Sequence, residues 1–262
     1  MRVLITFAVE AEFAPWRRRH RFSDVSADDL RTFQAVMSGV DATVLLTGIG
    51  NDRSGSAMLG LQMNSFVAGR GFDICVSSGL AGSLRANYQA GDIVAARQVR
   101  TNFIHGDLGK DTISCDAELV ASAEMFGART VASFYTADHI VTKSIEKASL
   151  GTLADVVEME SFSVIKEAYA WGTRGIAVRA ISDTSTEDLP IDFNLAVTNK
   201  GDMSLARMAG QVMRSPGSVP SLVKFGRQSH LAAKALADFL DAFIPGLAGK
   251  GQPGISREVP AT

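Results

Sequence analysis

Three stretches of the chain place carboxylic acids where the surrounding pattern calls for apolar residues. They are Glu10-Ala-Glu12 at the end of an apolar opening run, Val156-Val-Glu-Met-Glu160, and Ala177-Val-Arg-Ala-Ile-Ser-Asp183. Buried carboxylates are rare unless they are paired or used. Each acid taken singly also suits a helix N-cap or first turn, where a negative charge meets the positive end of the helix. Taken as a set, Glu12, Glu160 and Asp183 stand at the ends of three apolar runs, and strand carboxyl ends are where α/β proteins place ligands. While the backbone stays extended, alternate residues share a face, so Glu158 and Glu160 are expected to point into one cavity. Such a set suits glycosidic cleavage, in which one acid protonates the leaving group and a carboxylate activates water.

The elements that must position these acids alternate. β-rich runs at residues 3–9, 42–49, 73–78, 92–95, 130–135, 155–158 and 175–181 are separated by helical stretches at 52–68, 116–126, 142–150 and 161–171. This alternation predicts a layered α/β domain around a buried central sheet. From Met203 onward the pattern is nearly all helix, with Pro216 and Pro220 dividing two segments. The expected organisation is one domain over residues 1–246, followed by a flexible tail at 247–262 that has no apolar period.

The chain has 262 residues, with 26 Lys and Arg against 28 Asp and Glu, so it lacks the basic excess of a dedicated nucleic-acid binder. No run reaches the roughly 18 apolar residues of a membrane span. The opening apolar run meets Glu10 and Glu12 without a signal-peptide cleavage site, and the two cysteines, Cys75 and Cys115, suit a reducing compartment. A cytoplasmic protein is expected. Gly48-Ile-Gly50 opens a helix after a strand, but Arg53 stands at the third glycine of a dinucleotide fingerprint, and Ser56 at the lysine of a P-loop. The four histidines are scattered and form no short-range ligand pair, so neither metal nor organic cofactor is expected. No Gly-x-Ser-x-Gly elbow is present. Arg17-Arg-Arg-His20 reads as a solvated helix face, and the acids from Glu187 onward as an exposed loop.

Six motifs in order, Phe7-Ala-Val-Glu-Ala-Glu12, Thr47-Gly-Ile-Gly50, Ser78-Gly-Leu-Ala-Gly82, Gly91-Asp-Ile-Val94, Val157-Glu-Met-Glu160 and Arg179-Ala-Ile-Ser-Asp183, resemble the nucleoside phosphorylase superfamily. The resemblance is nearest to its hydrolytic branch, the methylthioadenosine/S-adenosylhomocysteine nucleosidases, and covers about residues 1–190. It implies a three-layer α/β fold, with a central mixed β-sheet flanked by helices, that cleaves the N-glycosidic bond of a purine nucleoside. It further implies that Glu12 activates water and that Asp183 assists protonation of purine N7, with Ser182 positioning it. Met159 and Glu160 are implied to contact the ribose, and Glu158, Ser182, and Gly79 and Ala81 of the glycine turn to belong to the substrate-binding set, with Ile140 in the segment whose backbone reads the base. The resemblance implies a dimer or higher homo-oligomer, in which Phe103 and His105 of a neighbour complete the pocket.

The superfamily's phosphorylases hold phosphate with two arginines and a Ser or Thr in the glycine turn. The matching places here hold the Glu12 region, Ser77 and Leu80, a poor site for a dianion, so water is the expected nucleophile. A phosphate-dependent phosphorylase and a non-catalytic nucleoside-binding protein are the alternatives. Ala11 stands where the nucleosidases usually carry another acid, and Leu80 replaces a small polar turn residue. Residues 189–227 form a longer ending than the compact nucleosidases have. They resemble instead a bacterial branch linked to hopanoid-lipid synthesis, whose extra helices would serve a bulky 5′ substituent or simply cover the sheet or an oligomer interface.

Overall fold

The computed structural model describes residues 1–27, 29–67, 71–102, 112–198 and 201–249. The elements run β1 (Arg2–Phe7), α1 (Glu10–Arg17), β2 (Ser23–Asp24), β3 (Arg31–Met37), β4 (Val40–Leu46), α2 (Asn51–Val67), β5 (Ile74–Ser77), β6 (Leu80–Ser83) and β7 (Ile93–Arg100). They continue with β8 (Thr112–Ser114), α3 (Ala117–Met125), β9 (Arg129–Thr136), α4 (Ser144–Leu150), β10 (Val156–Glu158), α5 (Ser161–Ala170), β11 (Arg174–Asp183), α6 (Leu205–Arg214) and α7 (Val219–Ala248). Short 3-10 turns cover Phe193–Ala196 and Pro216–Ser218.

The sheet order is β2-β3-β4-β1-β5-β11-β6-β10-β9-β7-β8. β1 pairs in parallel with β4 and β5, and β11 in parallel with β5 and β6, whereas β10 meets β6 antiparallel and β9 in parallel. β11 also pairs antiparallel with β7, which closes β11, β6, β10, β9 and β7 into a ring. The sheet is thus mixed, half open and half rolled. β11 belongs to both halves, which explains its ten residues, nine of them buried. Its pairing with β6 slips between Ile181 and Asp183, and that bulge turns the strand end where Asp183 stands.

Helices cover the sheet. Leu236, Leu240 and Phe243 of α7 join Val178, Ala180 and Ile181 in the main core, while Val164 and Ala168 of α5 pack with Met58 and Leu61 of α2 in a second cluster. α7 extends through Ala248 and Leu247 is buried, so the helix passes the expected boundary at 246; the remainder of the expected tail, from residue 250, lies outside the described residues. Pro220 sits in the first turn of α7 rather than between segments, a position where its missing N–H breaks no helical bond.

The basic run is not simply a solvated face. Arg17 lies over the Phe33 ring at 4.3 Å, and Arg19 and His20 both reach Asp241 at 2.6 Å, which fastens α1 to α7. No helix among the described residues is long and apolar enough to cross a membrane.

Candidate active site

A cavity of about 420 Å³ opens at the carboxyl ends of the strands. Glu12, Glu158, Met159, Glu160, Ser182 and Asp183 line it on one side, and Leu189, Phe193, Met203 and Phe225 supply apolar wall. Three strand ends far apart in sequence therefore meet at one place.

Glu12 is the third residue of α1 and bends back over the start of the helix. Its Oε2 accepts from the backbone N–H of Ala8 at 3.0 Å and Val9 at 3.4 Å, and its Oε1 from the N–H of Leu80 at 2.9 Å. The capping role and the cavity role are thus played by one carboxylate. Gly79 makes this possible: its φ is +147°, and a Cβ there would stand 3.1 Å from Glu12 Oε1. Burial raises the Glu12 pKa, against the Leu80 N–H and then the Arg179 charge, which lower it. A carboxylate raised in this way is a stronger base than an exposed one.

Glu158 and Glu160 both line the cavity, as expected, but their carboxylates are held differently. β10 ends at Glu158, and Glu160 has left the strand, with φ −126° and ψ −31° at the start of α5. The Glu158 carboxylate is consumed inside the protein. It accepts from Thr136 Oγ1, from the N–H of Glu160 at 2.9 Å and Ser161 at 2.7 Å, and from Arg179 Nη2 at 2.7 Å. Among the described residues Glu160 accepts only the Gly50 N–H, at 3.0 Å, and lies 3.6 Å from Arg179 Nη2. Burial and then the neighbouring Glu158 charge push the Glu160 pKa up. Of the two, Glu160 is the carboxylate with oxygen capacity left for a ligand.

Arg179 went unassigned in the sequence reading. It is 1% exposed and joins Glu158, Glu160 and Ser77 Oγ. A charged residue in the middle of an otherwise apolar strand was the available signal. Two buried acids require a buried cation, and Arg179 is that cation.

At the other end of the site, Asp183 is 7% exposed. Its Oδ1 accepts from Ser182 Oγ at 2.7 Å, and its Oδ2 from Lys147 Nζ at 2.5 Å. Gly82 leaves room for it, since a Cβ there would lie 2.9 Å from Oδ2. Ser182 Oγ also reaches the Ala81 carbonyl at 3.2 Å. Lys147, fully buried on α4, is a second residue that the sequence reading passed over.

The remaining expectations fare differently. Met159 and Ala81 line the cavity, whereas Gly79 is not among its lining residues and acts through Glu12. The Ile140 backbone is already occupied. Its N–H donates to Asn194 Oδ1 at 2.7 Å and its carbonyl accepts from Asn194 Nδ2 at 2.9 Å, so the carboxamide holds the edge expected to read a base. Phe103 and His105 lie outside the described residues. Glu187 is not a free loop acid, because it accepts from Lys224 and Gln228 of α7. Arg53 is exposed on α2.

A half-rolled mixed sheet that gathers carboxylates and glycine turns at its strand ends defines an α/β protein with one acid-lined cavity. The chain belongs to the phosphorylase superfamily, whose family model matches residues 2–214. It is similar to the 5'-methylthioadenosine/S-adenosylhomocysteine nucleosidase of Shewanella halifaxensis, at 23% identity over 189 residues, which cover 64% of this chain and 79% of that protein.

Solved structures share the fold at lower identity. The nucleosidase of S. pneumoniae bound to a transition-state inhibitor aligns with TM-score 0.71 at 15% identity, over 94% of this chain and 100% of the other. The Campylobacter jejuni nucleosidase aligns with TM-score 0.69 at 17% identity, over 94% and 99%. A futalosine hydrolase mutant of Helicobacter pylori aligns with TM-score 0.66 at 18% identity, over 92% and 99%.

Proposed function

We propose that the protein hydrolyses the N-glycosidic bond of a purine nucleoside, with water activated by Glu12 and the departing base protonated through Asp183. The observation that carries the choice of water is the seat of Glu12. The three backbone N–H groups that would make an anion nest, those of Ala8, Val9 and Leu80, already serve its carboxylate. A phosphate dianion placed there would meet a like charge, and no Lys or Arg is among the described residues lining the cavity. Water beside a buried carboxylate of raised pKa is the nucleophile this arrangement favours.

The sugar falls to Glu160 and Met159. Glu160 has oxygen capacity for ribose hydroxyls, whereas Glu158 serves as an internal brace for Arg179 and the start of α5. Beyond the sugar, Leu189, Phe193, Met203 and Phe225 favour a nucleoside with an apolar 5′ substituent over one with a free 5′ hydroxyl. The named activities of the similar nucleosidases, on 5'-methylthioadenosine and S-adenosylhomocysteine, fall within this class.

The test is base release from methylthioadenosine, adenosylhomocysteine, adenosine and inosine, in phosphate-free buffer and with phosphate added. Release without phosphate, yielding free sugar and fastest for the apolar 5′ thioether, is the expected result. Release only with phosphate, yielding ribose 1-phosphate, would reassign the nucleophile. Binding without release would make the protein a nucleoside-binding module.

A further inference from the structure

Asp183 must carry a proton to serve as an acid, and the charged group in contact with it is the buried ammonium of Lys147. Lys147 is 0% exposed and is the one buried residue of α4. Its Nζ donates to Asp183 Oδ2 at 2.5 Å, to the Thr184 carbonyl at 2.9 Å and to the Glu187 carbonyl at 3.0 Å. Three acceptors match the three N–H bonds of an ammonium. Asp183 lines the cavity and Lys147 does not, so the carboxyl stands between the lysine and the space a base would fill. α4 is held in this register from outside, where Asp188 accepts the Ser144 N–H and hydroxyl, each at 2.8 Å.

We propose that Lys147 is a positioning residue that stores the proton Asp183 delivers, releasing it to the carboxyl when a purine fills the cavity. The ion pair and its neutral form, an amine beside a carboxylic acid, carry the same net charge. A low-dielectric setting disfavours the charge-separated form, and expulsion of water by the base moves the balance further. In the step itself one Nζ–H bond breaks and an O–H bond forms on Asp183. Asp183 then gives its proton to N7 as the C1′–N9 bond breaks and its electron pair passes to the purine. The water oxygen bonds to C1′, and the proton it sheds goes to Glu12. After product release that proton returns through solvent to the lysine amine, so the net change is nucleoside plus water to purine plus sugar.

Other charged groups face this pair from each packed element. Glu187 is bound to Lys224 of α7, Asp188 to Lys143, and Glu146 of α4 to His139. Across the cavity stand Glu12, Glu158 and Glu160 with Arg179. Glu12 and Glu160 titrate in their own right, so the informative quantity is the ratio of variant to wild type at each pH.

The inference rests on the nucleosidase reading, and one experiment separates the two. It is the pH profile of kcat/KM for base release by the full chain, by Lys147→Met and by Lys147→Arg. A wild-type chain that releases no base at any pH fails the nucleosidase reading. With an active wild type, Lys147→Met is expected to lose about 10²–10³-fold at pH 8 and to recover toward wild type as the pH falls and solvent protonates Asp183. Lys147→Arg keeps the charge but cannot release a proton, and is expected to show the same pH-dependent loss.

A uniform loss at every pH, an unchanged profile, or full rescue at pH 8 by arginine would overturn the proton store. Proton uptake on adenine binding at pH 8, measured by calorimetry in two buffers, keeps the test independent of whether the Lys147 variants fold. Equal uptake by wild type and Asp183→Asn is expected. About one extra proton taken up by wild type would mean that Asp183 is charged from solvent and would contradict the inference.

Discussion

The two ends of the cavity treat a carboxylate in opposite ways. Glu12 is held by three backbone N–H groups, with no cation in direct contact among the described residues, and burial lifts its pKa. Asp183 is held by a hydroxyl and a buried ammonium. In the proposed mechanism the first group accepts a proton from water, and the second passes on a proton supplied by the lysine. On that reading residue type does not assign acid and base; the partner behind each carboxyl does.

The largest effects come from removing either end. Glu12→Gln and Asp183→Asn are each expected to lower the rate of purine release by roughly 10²–10⁴-fold while thermal unfolding stays cooperative, as measured by steady-state kinetics beside calorimetry. Near-full activity in either variant would remove that residue from the mechanism.

Next comes the brace between the two ends. Arg179→Met leaves Glu158 and Glu160 buried without their cation, and a stability loss of about 3–5 kcal/mol is expected from denaturant titration. A smaller displacement sharpens the comparison without touching a charge. Gly82→Ala would push against Asp183 Oδ2 and Val157 Cγ1, at 2.9 and 3.3 Å, and is expected to reduce turnover by up to about 10²-fold by misplacing the acid. Turnover equal to wild type would show that the Asp183 seat is more tolerant than its packing implies.

A further effect is one of pH. Because the Glu160 pKa is raised on folding, the folded state holds a proton that the unfolded chain gives up near the ordinary carboxylate value. Stability attributable to this group is therefore greatest at low pH and declines as pH rises toward neutrality. Glu160→Gln removes that decline, so its stability relative to wild type is expected to increase from pH 5 to pH 8, by about 1.4 kcal/mol for each pKa unit of the shift. A constant difference across that range would contradict the assignment.

Much of the frame was legible in the sequence because apolar strand ends broken by acids are hard to explain otherwise. The runs leading to Glu12 and Asp183 fold as β1 with the first turn of α1 and as the end of β11, both on one cavity, and the glycine turns at Gly50 and Gly79 touch Glu160 and Glu12 directly. β3 went unread: its Val36 is exposed and its burial alternates only in part, so the apolar signal is weak. Glu158 and Glu160 reach one cavity as the alternation suggested, but their different partners were not legible, because the chain turns into α5 between them.

Lys147 was hidden for a sharper reason. In Lys143-Ser-Ile-Glu-Lys147 the expected pattern is inverted: Ile145 is 80% exposed and Lys147 is fully buried. Hydrophobic periodicity assumes that helices bury apolar side chains, and α4 buries a charge because Asp183 and two carbonyls receive it. Asn194 closing on Ile140 was equally beyond reach, since the contact joins residues 54 positions apart through a segment with no regular period.

The division of labour between the two ends is tested most directly by changing the leaving group. A 4-nitrophenyl riboside departs as a stable phenolate and needs no proton, whereas a purine does. Kinetics of wild type, Glu12→Gln and Asp183→Asn on both substrates give the comparison. Asp183→Asn is expected to be crippled on the purine nucleoside yet to recover to within about tenfold of wild type on the nitrophenyl riboside, with Glu12→Gln impaired on both. Equal impairment of Asp183→Asn on the two substrates would contradict the assignment of Asp183 as the acid.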